Sequence, residues 1–319
     1  MAAPVLADIP IRWPRSVLLA TDGSPSADAA VRSARALERR TEAAVDIAAV
    51  YAPAIPVPAV AGRSAIDRCA TSDRNAIAAM LRDVRWQLTH VLGEARYLRD
   101  WPLTLEVGDA GTAIVRAAVH RGADLTIIGI GADQPHSRHF GTHTAIAVVR
   151  NSASPVYAAV PGCEVPSRAI VLAVDGQLHP PTFRAAVACL IPGGRLWIAA
   201  ANSPAPLQCD LDTIGTRALA MRICGRRWTA RLDEIEIMRV QMGGDIVHNV
   251  LQLARDTRAH LIAVPNYGDP GPIRAFLPNP ADSLLLGARC SVLVVPDRAN
   301  DETAAALGND SANGTEIER

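Results

Sequence analysis

Lysine is missing from this chain: all 32 basic residues are arginine. No side chain can therefore act as an amine nucleophile, form a Schiff base or supply the lysine of a P-loop phosphate site. Charge as a whole is sparse, 20% of residues, and balanced at 32 acidic against 32 basic. A protein that grips nucleic acid electrostatically shows a basic excess, so no nucleic-acid partner is expected. Aromatic residues are only 4%. Trp13, Trp86, Trp101, Trp197 and Trp228 are spaced as ordinary core or interface residues, not as a platform for stacking bases. The six cysteines, Cys69, Cys163, Cys189, Cys209, Cys224 and Cys290, form no C-x-x-C pair. That excludes a disulfide framework and a zinc ribbon, and fits reduced thiols in the cytoplasm. Residues 1–16 lack a basic start followed by an apolar core, so no secretory signal is expected. The longest uncharged stretch, Ile47 to Gly62, carries three prolines. It is too short to span a bilayer, and no membrane association is expected.

What the chain does have is apolar surface and length. Hydrophobic residues make up 49% of 319, enough for two domains that each bury a core. One grammar appears twice. "SVLLATDGS" (16–24) and "AIVLAVDGQ" (169–177) are apolar strands ending in Asp22-Gly23 and Asp175-Gly176. Each precedes an Ala-rich helical stretch, Ser26 to Arg40 and Thr182 to Leu190, then a second strand at 45–53 and 195–204. Helical periodicity follows around 72–95 and 211–226. Then come strand, glycine turn, helix and strand at 103–129 and 235–265, and closing strands at 154–160 and 290–296. Short, continuously apolar strands alternating with amphipathic helices predict α/β domains with parallel sheets. Ligands of such sheets bind beyond the carboxyl ends of the strands, where the strand order reverses. Asp22-Gly23, Val50 and the loop after Gly129 fall at carboxyl ends. The tail 297–319 has six acids and two arginines among few apolar residues, and is expected to be disordered.

The stretch "TIIGIGADQPHSRHFGTHTA" (126–145) is the most unusual in the chain. Read as metal chemistry, His136, His139 and His143 form H-x-x-H-x-x-x-H. Those spacings share a face only in a helix, and Gly141 lies inside, so no metal site is expected. Read as an anion loop, its glycines permit close backbone approach to phosphate ahead of a helix N-terminus. Asp22 and Asp175 are each open to a simpler reading, as caps of the helices that follow.

Both halves resemble the universal stress protein family. The resemblance rests on the strand ending in an Asp-Gly turn, the Gly-Asp helix start, the "ADL-apolar-apolar-Gly" strand and the closing apolar strand. It covers 15–160 and 167–296. It implies two tandem doubly wound, Rossmann-like domains, each a five-stranded parallel sheet with flanking helices, paired through their last strands as a pseudo-dimer. It also implies a regulatory binding protein of the stress response rather than an enzyme, with an unknown protein partner and room for further self-association. Some members bind ATP through G-x-x-G, nine residues, then G-S/T. Laid from Gly129 without gaps, that pattern falls on Ala132, Thr142 and His143. Shifted by one residue, it reads Gly131, nine residues, Gly141, Thr142. The resemblance thus implies a weak ATP site in the first half, with Mg accompanying the nucleotide and no other metal, held by Ala20, Asp22, Val50, Gly129, Gly131, Gly141, Thr142 and His143. In the second half the same pattern meets Pro265, Gly268, Pro278 and Asn279. Proline offers no N–H and fixes φ near −65°, so no triphosphate is expected there. The competing functions are an ATP-using enzyme of the same fold group, for which the chain has no S-G-G-x-D-S loop, and a ligand-free scaffold.

Overall fold

The computed structural model describes residues 13–53, 71–93, 100–131, 141–174, 178–201, 218, 221, 232–266 and 279–296. The histidines at 136 and 139, the Asp175-Gly176 turn, most of 211–226 and the tail 297–319 lie outside the described residues.

In the first half, β1 (Ser16–Thr21) is followed by a 3-10 turn (Pro25–Ala27) and α1 (Asp28–Thr41). Next come β2 (Ala44–Tyr51), α2 (Thr71–Leu92), β3 (Leu103–Val107), α3 (Ala110–Arg121), β4 (Leu125–Gly129), α4 (Thr142–Asn151) and β5 (Val156–Ala159). The second half runs β6 (Ser167–Val174), α5 (Pro180–Cys189), β7 (Leu190–Ala201), β8 (Glu236–Met242), α6 (Ile246–Asp256), β9 (Leu261–Asn266), α7 (Pro280–Gly287) and β10 (Ser291–Pro296).

The ten strands form one sheet in the order β3-β2-β1-β4-β5-β10-β9-β6-β7-β8. Each half keeps its own five strands, parallel throughout, and the halves meet edge to edge where β5 and β10 pair antiparallel. That seam matches Val156 with Val294, Tyr157 with Leu293 and Ala158 with Val292. The pseudo-twofold axis therefore passes through the Tyr157–Leu293 pair. Pairing the last strands removes two apolar edges that would otherwise invite aggregation.

Alternate residues of each strand enter opposite layers, the period-two rule of a pleated strand. Val17, Leu19, Leu125 and Ile127 join the core under α1, α2 and α5. Leu18, Ala20 and Ile128 join the one under α3, α4, α6 and α7. Both cores run across the seam, so the halves share two continuous apolar layers.

The registers coincide between the halves. Val17 pairs with Leu125 as Ile170 pairs with Leu261, and Thr126 pairs with Val156 as Ile262 pairs with Val292. α3 and α6 are capped by Asp109 and Asp245, each accepting a backbone N–H from its own first turn. The left-handed Gly122 that ends α3 is matched by left-handed Arg258 after α6. One difference from the sequence reading concerns β7. It begins at Leu190, directly after α5, and its register against β6 shifts between Leu190 and Arg195, a bulge in which Gly193 is left-handed. Trp13 and Trp101 are core residues, but Trp86 is 65% exposed and stacks on His90.

Candidate functional site

In the first half the chain leaves β1 for β2 and β3 on one side, then returns to β4 on the other. The strand order therefore reverses between β1 and β4, where a ligand cleft is expected. Ala20 and Thr21 end β1, Val50 lies near the end of β2 and Gly129 ends β4. Register sets Ala20 beside Ala48 on one side and Ile128 on the other. Ala20 and Val50 are buried in the layer covered by α3 and α4, while Asp22 and Gly131 are half-exposed.

Gly141 is the N-cap residue of α4 in extended conformation, and Thr142 and His143 open the helix. Glycine has no side chain to accept a first-turn N–H, and among the described residues no side chain caps α4. Helix N-termini of this kind offer unpaired donors and a partial positive charge to anions. The counterpart helix differs. α7 starts two residues later, at Pro280, and its N-cap Asn279 accepts the N–H of Ala281 at 3.0 Å. Asn279 also donates to Asn266 at 3.0 Å, and Asn266 reaches across the seam to the Val149 carbonyl of α4.

The turn after β1 is built by its neighbours. Gly23 has φ of +79°, a left-handed conformation that side chains resist. A Cβ there would also lie 2.7 Å from the Val84 nitrogen of α2. Asp22 accepts the N–H of Ser24 at 2.9 Å, which closes the turn. Asp22 is not the cap of α1, whose N-cap is Ala27 without a side-chain bond. Sequence reasoning missed Gln87, a 1%-exposed residue of α2 that organises this corner. Its Oε1 accepts from Thr21 at 2.8 Å. Its Nε2 donates to the Ser24 carbonyl at 2.6 Å and to Asp28 at 2.7 Å. The signal was a polar residue inside the apolar stripe of Ile77, Val84 and Leu88. Tyr51 ties the end of β2 to the first turn of α2 by donating to Asp73 at 2.8 Å.

Gly129 has a packing reason of its own. A Cβ at this position would lie 2.4 Å from the Ser26 carbonyl oxygen and 2.5 Å from Ala27 Cα. At Gly131 it would meet Ser26 Cβ at 3.1 Å. The Pro25–Ala27 turn thus lies against both glycines.

Ala20, Asp22, Val50, Gly129 and Gly131 stand at the carboxyl ends of neighbouring strands, and Gly141, Thr142 and His143 form the uncapped start of α4. Among the described residues, no three or more His, Cys, Asp and Glu side chains cluster as metal ligands. No described helix is long and apolar enough to cross a membrane.

Residues 14–159 match the family model described as universal stress protein family. A universal stress protein from Archaeoglobus fulgidus DSM 4304 shares the fold at 14% identity and TM-score 0.62, covering 89% of this chain and 98% of that one. A protein of unknown function from Pseudomonas aeruginosa PAO1 shares it at 15% identity and TM-score 0.50, covering 93% of this chain and 97% of that one. No curated protein sequence matches the chain.

Proposed function

We propose, from the match of residues 14–159 to the universal stress protein family model, that the chain is a member of that family, a stress-response regulatory protein whose first half binds ATP weakly and whose second half serves as a fixed partner. The observation that carries this reading is the contrast between the two helix starts. α4 opens at Gly141, Thr142 and His143 with no side-chain cap among the described residues, while Asn279 caps α7 by accepting the Ala281 N–H. A phosphate at α4 would occupy the role that Asn279 plays for α7. Ala20 and Val50 supply apolar surface for a base, and Asp22 a carboxylate for a ribose or for the water of a magnesium ion. Occupancy then changes the face that a protein partner reads. No residue is assigned a catalytic role.

One observation favours a second reading, a ligand-free scaffold. The Pro25–Ala27 turn by itself accounts for glycine at 129, where a Cβ would meet backbone at 2.4 Å, without any phosphate. Denaturing the purified protein and chromatographing the supernatant separates the two. Released ATP or ADP in proportion to protein supports the nucleotide reading. Its absence, together with no binding of added ATP, ADP or cyclic AMP, supports the scaffold.

A further inference from the structure

The two halves form an internal comparison, because their strands and helix caps share one register. On the rim where β6, β9 and β10 begin, the second half carries Arg168, Arg258, His260 and Arg289. Register gives their first-half counterparts as Arg15, Gly122, Asp124 and Ala153. At these positions the charges of Arg15 and Asp124 cancel, whereas the second half has three positive charges and no negative one. The His260 N–H donates to the Ala169 carbonyl at 2.9 Å and the Ser291 N–H to the His260 carbonyl at 3.2 Å, which carries the pairing out to the rim. Arg168 and Arg289 thus stand on either side of Ala259, each one strand spacing away, roughly 5 Å, and Arg258 comes just before it.

The exchange of Asp124 for His260 removes an anion that the first half supplies itself. The Asp124 carboxylate accepts the N–H groups of Arg15 and Ser16 at 2.9 and 3.2 Å. The Nδ1 of His260 is buried without a hydrogen bond, so the ring has not taken over that task. Among the described residues, no carboxylate or other acceptor engages the guanidinium of Arg168, Arg258 or Arg289. The carboxylates on the segments leading into β6 and β9 are occupied elsewhere, Glu164 by Arg32 at 2.8 Å and Asp256 by Gln252 at 2.9 Å. Arg258 holds a φ of +50°, a conformation that glycine takes freely and a side chain resists, where the first half has Gly122. Three like charges are thus gathered without a partner, one of them against its backbone preference. Such charges repel one another, and an anion among them offsets the repulsion.

We propose that this rim binds a multiply charged oxyanion of the phosphate type in the place of the missing carboxylate. Arginine forks match the oxygen pairs of such an anion. A multiply charged group also offsets more of the three charges than chloride or a single carboxylate does. Because β5 and β10 run antiparallel, this rim lies along the same edge of the sheet as Gly129 and the start of α4. The inference rests on the charges at the rim and is independent of nucleotide binding by the first half.

The test uses the nitrogen-15-labelled full chain, titrated with inorganic phosphate at an ionic strength held constant with sodium chloride. Saturable amide shifts are expected at Arg168, Ala169, Arg258 and Arg289, with Arg15 and Asp124 unmoved. Arg258→Gly restores the first-half residue and relieves the left-handed conformation, so folding is not at risk, and it should weaken phosphate about tenfold. His260→Asp restores the internal carboxylate and should abolish the shifts. Methyl phosphate, titrated in parallel, separates two sources of the group: equal affinity admits a phosphoryl group carried on a larger molecule, and a loss restricts the site to the free anion. The proposal is overturned if the shifts rise without saturating, if the rims of both halves respond alike, if shifts at Thr142 alone place the anion at α4, or if neither variant changes the response.

Discussion

Single residues show which glycines the fold itself demands. Gly129→Ala drives a Cβ into backbone atoms of the 3-10 turn rather than into a flexible side chain. It should destabilise the protein by about 1–3 kcal/mol, read as a lower urea midpoint at unchanged m value. A midpoint within error of the parent would show that the turn yields. This packing role could not be read from the sequence, because Gly129 and Ser26 meet only once β1 and β4 are side by side. Gln87 showed in the sequence only as a polar residue inside an apolar stripe, because its partners Thr21, Ser24 and Asp28 lie far earlier in the chain. Asp109, by contrast, was legible as a Gly-Asp helix start. The Thr112 N–H and hydroxyl hold its carboxylate below the ordinary value, against a desolvation that pushes the other way. A depressed carboxylate contributes fully above its unfolded value, and that contribution is lost as pH falls through the folded one. Asp109→Ala should therefore cost about 1 kcal/mol near neutrality. Asp109→Asn, which still caps, should keep neutral stability and lose part of the acid sensitivity. Identical acid titrations of the parent and the Asn variant would refute this assignment.

Among elements, the strands were the most legible, because a strand buried on both faces must be written as a continuous apolar run. The helix pair at the seam was not. α4 and α7 are joined by Arg150, whose Nε and one terminal nitrogen donate to the same Asp282 oxygen at 2.9 and 2.5 Å. The carboxylate is 8% exposed and the guanidinium 61%. Asp282 thus depends on Arg150, while Arg150 keeps most of its water. The symmetry mates of this pair, Ile146 and Leu286, carry no charge, so the bridge occurs once where a true dimer would have it twice. Arg150→Ala should cost about 1–3 kcal/mol by leaving a buried carboxylate unpaired. Adding Asp282→Ala should recover part of that loss. A double variant as unstable as the sum of the two single ones would show that the pair is not coupled.

At the scale of the molecule, two copies of one grammar predicted two five-stranded parallel units, and the seam between β5 and β10 joins them into one ten-stranded sheet. The seam needed the family resemblance as well, because no local pattern says which edge meets which. With β5 and β10 apolar and buried, either half expressed alone should pair with itself or aggregate. Light scattering on the separated halves should find dimers or larger species, and a stable monomer of either would count against the seam as the main support. The residue types at the strand ends, and the prolines that set the second copy apart from the first, could be read from the sequence. Where α4 and α7 begin could not, because the start of α7 depends on the Asn279 cap formed on folding. Losing one or two charge-assisted hydrogen bonds to phosphate costs roughly 1.5–3 kcal/mol each, or one to two decades of affinity per bond. The most direct test is calorimetric titration of the full chain with ATP, repeated after moving the second half's residues into the first as Thr142→Pro with His143→Asn. The account predicts a single weak site per chain that the double substitution abolishes, is weakened by Asp22→Ala and is untouched by Asp175→Ala. Two sites per chain, or ATP binding that survives Thr142→Pro with His143→Asn but is lost with Asp175→Ala, would contradict it.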